Sequence, residues 1–220
     1  MRKAFIVLTL WAQSAAAVVV PCANDVVTAE AADPALAAQI CSASDAALDH
    51  FQSCALPALD PVRITAVTGF ERNCVGLYHC GEDWIEVLAP DELEQKRDEF
   101  GIFGHIPVAR FFDSIVLHEM SHALYYQSPC PVADCVATTE YFAYTQQIDA
   151  LSEVDFAPIA AQALDMPVRA DVINAFILYM APDKFALEAW VHLSARPDRC
   201  AQWRQVLAGE IYFDKPVPHP

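Results

Sequence analysis

The sequence predicts an α+β domain in which a small antiparallel sheet packs on one buried helix, a mainly helical C-terminal half follows, and disulfides stabilise the fold. Three observations predict this class. Short apolar or alternating stretches, separated by turn residues, lie between residues 61 and 88, which is typical of strands. Residues 107–128 are apolar on most sides, as in a buried helix. From residue 136 onward, apolar residues recur at helical spacing.

The N-terminus has the pattern of a secretory signal peptide, predicted to comprise residues 1–17. Arg2 and Lys3 precede an apolar run over residues 4–11, and three alanines ending at Ala17 precede the predicted cleavage point. An uncleaved membrane anchor and a lipoprotein cut at Cys22 are the alternatives, and both fit the run less well. We therefore expect an exported protein, periplasmic or secreted, without stable membrane insertion after cleavage.

The remaining chain, about 200 residues, is long enough for one domain with a sizeable core. Its formal charge is strongly negative, at −16 for the full sequence. Such a surface repels nucleic acid and anionic lipid. We expect a monomer with no nucleic-acid partner.

Eight cysteines, all beyond the predicted cleavage point, predict four disulfides in an exported chain. A cysteine-ligated zinc site is the weaker alternative, because the chain has no CxxC pair. Cys130 and Cys135 flank a short proline-containing loop and form a plausible local bridge. Cys74 and Cys80 would lie too far apart for a bridge if both belong to one extended strand.

The predicted elements follow in order along a single domain over residues 44–215, divided into 44–150 and a helical part over 151–215. Residues 18–43 are predicted to form an N-terminal arm with little patterning, stapled by its two cysteines unless it is a short propeptide. A helix is predicted over 44–56, and strands over 61–67, 74–80 and 84–88. A charged surface helix over 91–100, capped by Asp91, completes this part.

The buried central helix is predicted to begin at Pro107, where the missing N–H of proline is harmless, and to end before Pro129 and Pro131. After Cys135 the pattern is helical, with Tyr141, Tyr144, Ile148 and Leu151 on an inward stripe that Glu140 borders. Further helices are predicted over about 153–165, 169–181 and 183–208, the last broken by Pro197.

The central helix contains the motif HExxH at His118-Glu119-Met120-Ser121-His122. On a helix, residues i and i+4 lie on one face, so both imidazoles can bind one Zn²⁺ with Glu119 beside them. Chance alone would produce the motif in roughly one such chain in a hundred. Burying an ionised carboxylate beside two imidazoles is costly unless a metal ion supplies the compensating charge. The sequence therefore predicts one Zn²⁺ per chain.

Glu140 is the predicted third zinc ligand, because catalytic zinc sites use three protein ligands and leave one position open. Seventeen residues separate it from His122, enough for a loop and a second helix that packs back. The alternative is an ordinary helix carboxylate, although its apolar neighbours disfavour an exposed position.

Residues 116–124 (VLHEMSHAL) and 138–144 (TTEYFAY) resemble the gluzincin branch of the zincin metallopeptidases, most closely the small single-domain minigluzincins. The resemblance covers about residues 44–150 and implies hydrolysis of peptide bonds in a peptide or protein substrate. In some gluzincins an Asp one turn after the ligand Glu orients a zinc histidine, whereas this chain has Tyr144 there.

The resemblance implies that Glu119 acts as general base toward a metal-activated water and then protonates the leaving amine. It also implies that the strand over residues 84–88 lies along the cleft and pairs with an extended peptide. Candidates for stabilising the transition state or for orienting a zinc ligand are Tyr144, Tyr141 and His192, and Tyr125 and His105 are further candidates for the first role.

Two alternatives to a metallopeptidase stay open at this stage. One is a zinc-bound but catalytically inactive secreted domain that serves in binding or as a scaffold. The other is a disulfide-stabilised helical interaction domain in which HExxH is accidental. Metal content separates the domain with an accidental motif from the two zinc-binding proteins, and activity separates the inactive zinc-bound domain from the metallopeptidase.

Overall fold

The computed structural model describes residues 17–70 and 74–214. The predicted signal peptide therefore lies outside the described residues, except for Ala17. Among the described residues, no helix is both long enough and apolar enough to cross a membrane.

The sheet has five strands in the order β1-β2-β3-β5-β4. The strands are β1 (Val18–Pro21), β2 (Val27–Ala31), β3 (Val62–Val67), β4 (Gly76–His79) and β5 (Trp84–Leu88). The three predicted strands are present, but the sheet is mixed, so the prediction of an antiparallel sheet is wrong. β2, β3 and β5 run parallel, and only the outer pairs are antiparallel. The helix between β2 and β3 returns the chain to the same end of the sheet, which makes that pair parallel.

The N-terminal arm is part of the domain rather than an unpatterned segment. It contributes β1, β2 and the first half of α1 (Pro34–Ser53), which begins ten residues before the predicted start at 44. The buried side chains of β2 are Val27, Ala29 and Ala31, and alanine gives a weak strand pattern. Asp33 caps α1 by accepting from two backbone N–H groups.

The charged helix is shorter than predicted. α2 spans Pro90–Gln95, and 3₁₀ turns over Arg97–Glu99 and Gly101–Phe103 follow it. Asp91 lies inside the first turn, and Ala89 occupies the N-cap position without a side-chain hydrogen bond. The prediction of Asp91 as the cap is therefore wrong, because Pro90 takes the first helical position.

The central helix α3 (Val108–Tyr126) organises the core. It packs against α1, α2, β4 and β5 on one side, and against α4 (Val136–Asp149) on the other. Phe112, Val116 and Met120 are completely buried along it. The predicted C-terminal helices are present in shortened form as α5 (Glu153–Ala163), α6 (Ala175–Met180), α7 (Pro182–Ser194) and α8 (Arg199–Leu207), and the expected break near Pro197 separates the last two.

Three disulfides join described residues, rather than the four predicted. Cys22–Cys41 staples β1 to α1, Cys130–Cys135 closes the loop between α3 and α4 as predicted, and Cys54–Cys200 ties the end of α1 to α8. Cys80 is an exposed thiol outside these bridges. The long-range bridge joins the N-terminal and C-terminal parts of the fold covalently.

We expect the Cys54–Cys200 bridge to contribute more stability than the Cys130–Cys135 bridge. The bridged residues are separated by 146 and 5 positions, respectively. A bridge restricts the unfolded chain and raises its free energy, by about 5 kcal/mol for the long loop and about 2 kcal/mol for the short one. Guanidinium unfolding of the two double Cys→Ala variants measures both, and equal losses would contradict the assignment.

Candidate metal centre

The three predicted ligands lie together. His118 Nε2 and His122 Nε2 are 3.1 Å apart, and the two Glu140 carboxylate oxygens lie 3.6 Å from His118 Nε2 and 3.7 Å from His122 Nε2. They form the one His/Cys/Asp/Glu group found among the described residues whose geometry could hold a metal ion. Ligand atoms about 2.0–2.2 Å from a tetrahedral ion are about 3.3–3.6 Å apart. The observed separations of 3.1, 3.6 and 3.7 Å lie within about 0.2 Å of that range.

Helix geometry produces this arrangement. His118 and His122 are one turn apart on α3, so their rings lie side by side, with centroids 4.8 Å apart. Glu140 lies in the second turn of α4, which packs against α3. The group thus combines two ligands from one helix with a carboxylate from the next.

The start of α4 is held by a residue that the sequence reasoning did not identify. Asp214, near the end of the described chain, accepts hydrogen bonds from Ala137 N (2.8 Å), Thr138 N (2.9 Å) and Thr138 Oγ1 (2.6 Å). A carboxylate at a helix N-terminus satisfies free N–H groups and complements the helix dipole. No local pattern points to Asp214, because 77 positions separate it from Ala137.

A chain of buried hydrogen bonds defines the tautomer of His118. Ser114 Oγ donates to Phe111 O (2.8 Å), so it accepts from Gln147 Nε2 (3.0 Å). Gln147 therefore presents its Oε1 to His118 Nδ1 (3.0 Å), which must carry the proton and donate. The Nε2 lone pair of His118 then faces Glu140 and His122.

His122 has a similar support from α4. Its Nδ1 lies 2.9 Å from Thr139 Oγ1. A hydroxyl oxygen can accept from Nδ1, and this leaves Nε2 free to bind a metal. Both imidazoles are thus oriented by side chains of the helix that also carries Glu140.

The electrostatics of the group call for a cation. Burial lowers the pKa of His122 to about 4, so this ring is neutral at physiological pH. Burial also disfavours charged His118, but Glu140 and Glu119 together raise its pKa above the usual value. Charged His118 can donate from Nε2 to the lone pair of His122 Nε2 at 3.1 Å, and when both rings are neutral the two lone pairs repel unless a metal ion lies between them. The donor set therefore fits a divalent metal ion.

The side chain of Glu119 extends from α3 to strand β4 of the sheet. It is only 5% exposed, and burial raises its pKa to about 7, while His118 opposes the shift. Its carboxylate accepts from the backbone N–H of Tyr78. A Cβ added at Gly76 would lie 2.4 Å from Glu119 Oε1, so β4 needs glycine there for the carboxylate to approach the strand.

A cleft of about 760 Å³ opens over this group. His118, His122, Glu119 and Glu140 all line it, together with the backbone stretch over residues 74–78. Among the described strands β4 is the edge strand beside the cleft, and β5 is interior because it pairs with both β3 and β4. The prediction that the strand over residues 84–88 borders the cleft is therefore wrong.

Tyr144 lies in the cleft, with its ring edge-on to His118 at 4.7 Å between centroids. Its hydroxyl makes no hydrogen bond with another described side chain or backbone group. Burial raises the pKa of Tyr144, as do nearby Glu140 and Asp183, so it stays protonated and can donate.

The other predicted candidates lie elsewhere, apart from Tyr125, which lines the cleft. Tyr141 and His192 are not among the described residues that line it. Tyr141 is fully buried on the opposite face of α4, where its hydroxyl lies 3.1 Å from His192 Nδ1. His105 contacts Asp155 O at 2.7 Å.

Comparison with known proteins identifies one related family. A family model described as a family of unknown function (DUF6639) matches residues 27–216. No curated protein and no solved structure matches the chain.

We expect the purified protein to bind one divalent metal ion per chain. Glu140→Ala should weaken zinc affinity by more than about 100-fold, because losing only an outer partner of a ligand costs about 10–100-fold. Gln147→Ala should produce a loss within that smaller range. Elemental analysis and competition titration of tag-free protein measure both effects.

Asp134→Ala is the matched control, since Asp134 lines the same cleft outside the ligand group. Its zinc affinity should equal that of the wild type. Unchanged affinity in Glu140→Ala would show that another residue is the third ligand.

Proposed function

Because the chain belongs to the DUF6639 family, whose description leaves its function open, we propose from the metal centre that the protein is an exported zinc-dependent metallopeptidase. The observation that carries the proposal is the juxtaposition of His118, His122 and Glu140 with Glu119 at the floor of one open cleft. Two histidines, a carboxylate ligand and an adjacent unliganded carboxylate are the components of zinc peptide hydrolysis.

Glu119 and its contacts with β4 would have separate roles in hydrolysis. Bound zinc would supply a Lewis acid and make a water molecule acidic at neutral pH. Glu119, which lines the cleft beside the two histidines, would take a proton from the attacking water and return it to the leaving amine. Gly76 and the N–H of Tyr78 would hold the Glu119 carboxylate in place.

Tyr144 is the best placed residue for stabilising the oxyanion that forms on the peptide carbonyl. It shares the cleft with the ligands, contacts His118 and remains protonated. A hydrogen-bond donor aimed at developing negative charge is among the strongest contributors to catalysis. Tyr141 and His192 lack this position.

The position of edge strand β4 favours the proposal of an extended peptide as substrate. Residues 76–78 of β4 line the cleft, and within the described sheet this strand pairs only with β5. An extended peptide could add to such an edge through main-chain hydrogen bonds. The three disulfides are compatible with the oxidising environment that export implies.

A zinc-bound but inactive binding domain is the second candidate function. The deep burial of Glu119 favours it, since a carboxylate packed against Gly76 could serve the fold alone. The activity of substitutions at Glu119 separates the two functions.

We expect Glu119→Gln to retain zinc and to lose peptide cleavage by about 10²–10⁴-fold, because the amide cannot accept the proton. Gly76→Ala should produce a comparable loss, since the added methyl would displace the carboxylate. Cleavage of a quenched peptide library, with a chelator control, measures activity in both variants.

Gly69→Ala is the control for the glycine substitution, because a Cβ there meets no atom within 4 Å. It should cleave at the wild-type rate. Full activity in Glu119→Gln would remove this residue from the mechanism.

We expect Tyr144→Phe to lower kcat by about 10²–10³-fold with little change in KM, because the hydroxyl acts on the transition state. Tyr126→Phe is the matched control, since Tyr126 lines the same cleft and is 53% exposed. A loss of zinc affinity in Tyr144→Phe, with turnover per bound zinc unchanged, would instead assign Tyr144 to orienting His118.

A further inference from the structure

An aromatic row leads away from the metal centre along one wall of the cleft. Tyr144 contacts His118, and Phe103 stacks beside Tyr144 with centroids 6.4 Å apart and planes 7° apart. Phe111 lies 6.0 Å from Phe103, and Phe100 lies 4.5 Å from Phe111. All four rings line the cleft, where half-buried Tyr144 offers the most surface and Phe100, Phe103 and Phe111 are 8%, 6% and 3% exposed.

The same wall carries negative charge. Glu99 precedes Phe100 in the chain, and Asp183 lies over the turn that contains Phe103. Asp183 Oδ1 accepts from Ile102 N (3.2 Å), and a Cβ at Gly101 would collide with its carboxylate. The contact holds the Asp183 carboxylate over the turn that precedes Phe103.

Neither carboxylate is neutralised by a basic side chain of the described structure. Glu99 and Asp183 are both exposed, line the cleft and form no ion pair with another described residue. Among the described residues that line the cleft, none is lysine or arginine. The wall therefore combines aromatic rings with two carboxylates, Glu99 and Asp183, that form no ion pair with another described residue.

We infer that this wall is a specificity subsite for a lysine or arginine side chain of the peptide substrate, with the methylenes on Tyr144 and Phe103 and the cation beside Asp183 and Glu99. The inference rests on the proposed function, because it assigns a subsite to the same cleft.

The chemistry of lysine and arginine matches both halves of the wall. Their stems cover apolar surface while their charged ends reach polar partners, and cations are attracted to aromatic faces. An acidic side chain placed there would be repelled by both carboxylates and by the overall charge of −16. A neutral apolar side chain would keep the ring contacts and lose the charge interaction.

Binding to the zinc-loaded Glu119→Gln protein tests the inference without requiring turnover. The probes are capped fluorescent octapeptides of Ala and Phe with one position scanned as Lys, norleucine or Glu. Each exposed ion pair changes affinity by roughly 1.4–5-fold. We therefore expect Lys to bind about 2–20-fold more tightly than norleucine at the best position, with Glu the weakest.

The matched variants are Asp183→Asn and Glu99→Gln, added to the Glu119→Gln background. Asparagine keeps the Oδ1 acceptor for Ile102 N, so the turn is retained while the charge is lost. The double variant should bring the Lys-to-norleucine ratio close to one. Asp134→Asn, on the loop side of the cleft, should leave the ratio unchanged.

Salt supplies an independent readout. The Lys preference should shrink as salt rises from about 0.01 M to about 1 M, because the Debye length falls from about 30 Å to about 3 Å. Equal affinity for Lys and norleucine peptides, or a preference that survives in Asp183→Asn/Glu99→Gln, would overturn the inference.

Cleavage by the wild-type protein separates this inference from the proposed function. A Lys preference in binding, without zinc-dependent cleavage of the same peptide, would overturn the peptidase and support the subsite. If the Lys and norleucine peptides bind with equal affinity and both are cleaved in a zinc-dependent way, the peptidase is supported and the subsite is overturned.

Discussion

The rest of the structure depends on the burial of ionisable groups around α3, with His118 and Glu140 at its contact with α4 and Glu119 at its contact with the sheet. His118 and Glu119 are 9% and 5% exposed, and Glu140 faces both histidines. Taking charged groups out of water costs several kcal/mol each unless they are paired and hydrogen-bonded. The surrounding elements supply those partners: Gln147 for His118, Thr139 for His122, and the Tyr78 backbone for Glu119.

The C-terminal helices contribute by holding the back of α4. α7 and α8 both pack against it. Tyr141 meets His192 of α7, and Thr145 accepts from Trp203 Nε1 of α8 at 3.0 Å. Glu140, Tyr144 and Gln147 lie on the side of the same helix that faces the cleft. One face of α4 therefore packs on α7 and α8, and another lines the cleft.

Local patterns predicted that His118, His122 and Glu140 lie together, because HExxH depends only on helix periodicity and Glu140 follows at a distance that a second helix can close. The same periodicity, counted from Glu140, points to Tyr144 and Gln147 and away from Tyr141. The mixed sheet could not be predicted in this way, since the buried alanines of β2 give little strand signal. Asp214 and the Cys54–Cys200 pairing depend on contacts between distant parts of the chain, which no local pattern encodes.

The cap supplied by Asp214 has a consequence for the order in which the site assembles. α4 carries Glu140, yet the acceptor for its first backbone N–H groups comes from the last described residue of the chain. A nascent polypeptide emerging from N- to C-terminus presents both histidines well before that carboxylate arrives. The N-terminus of α4 is therefore fully hydrogen-bonded only after residue 214 has been made, long after the two histidines of α3.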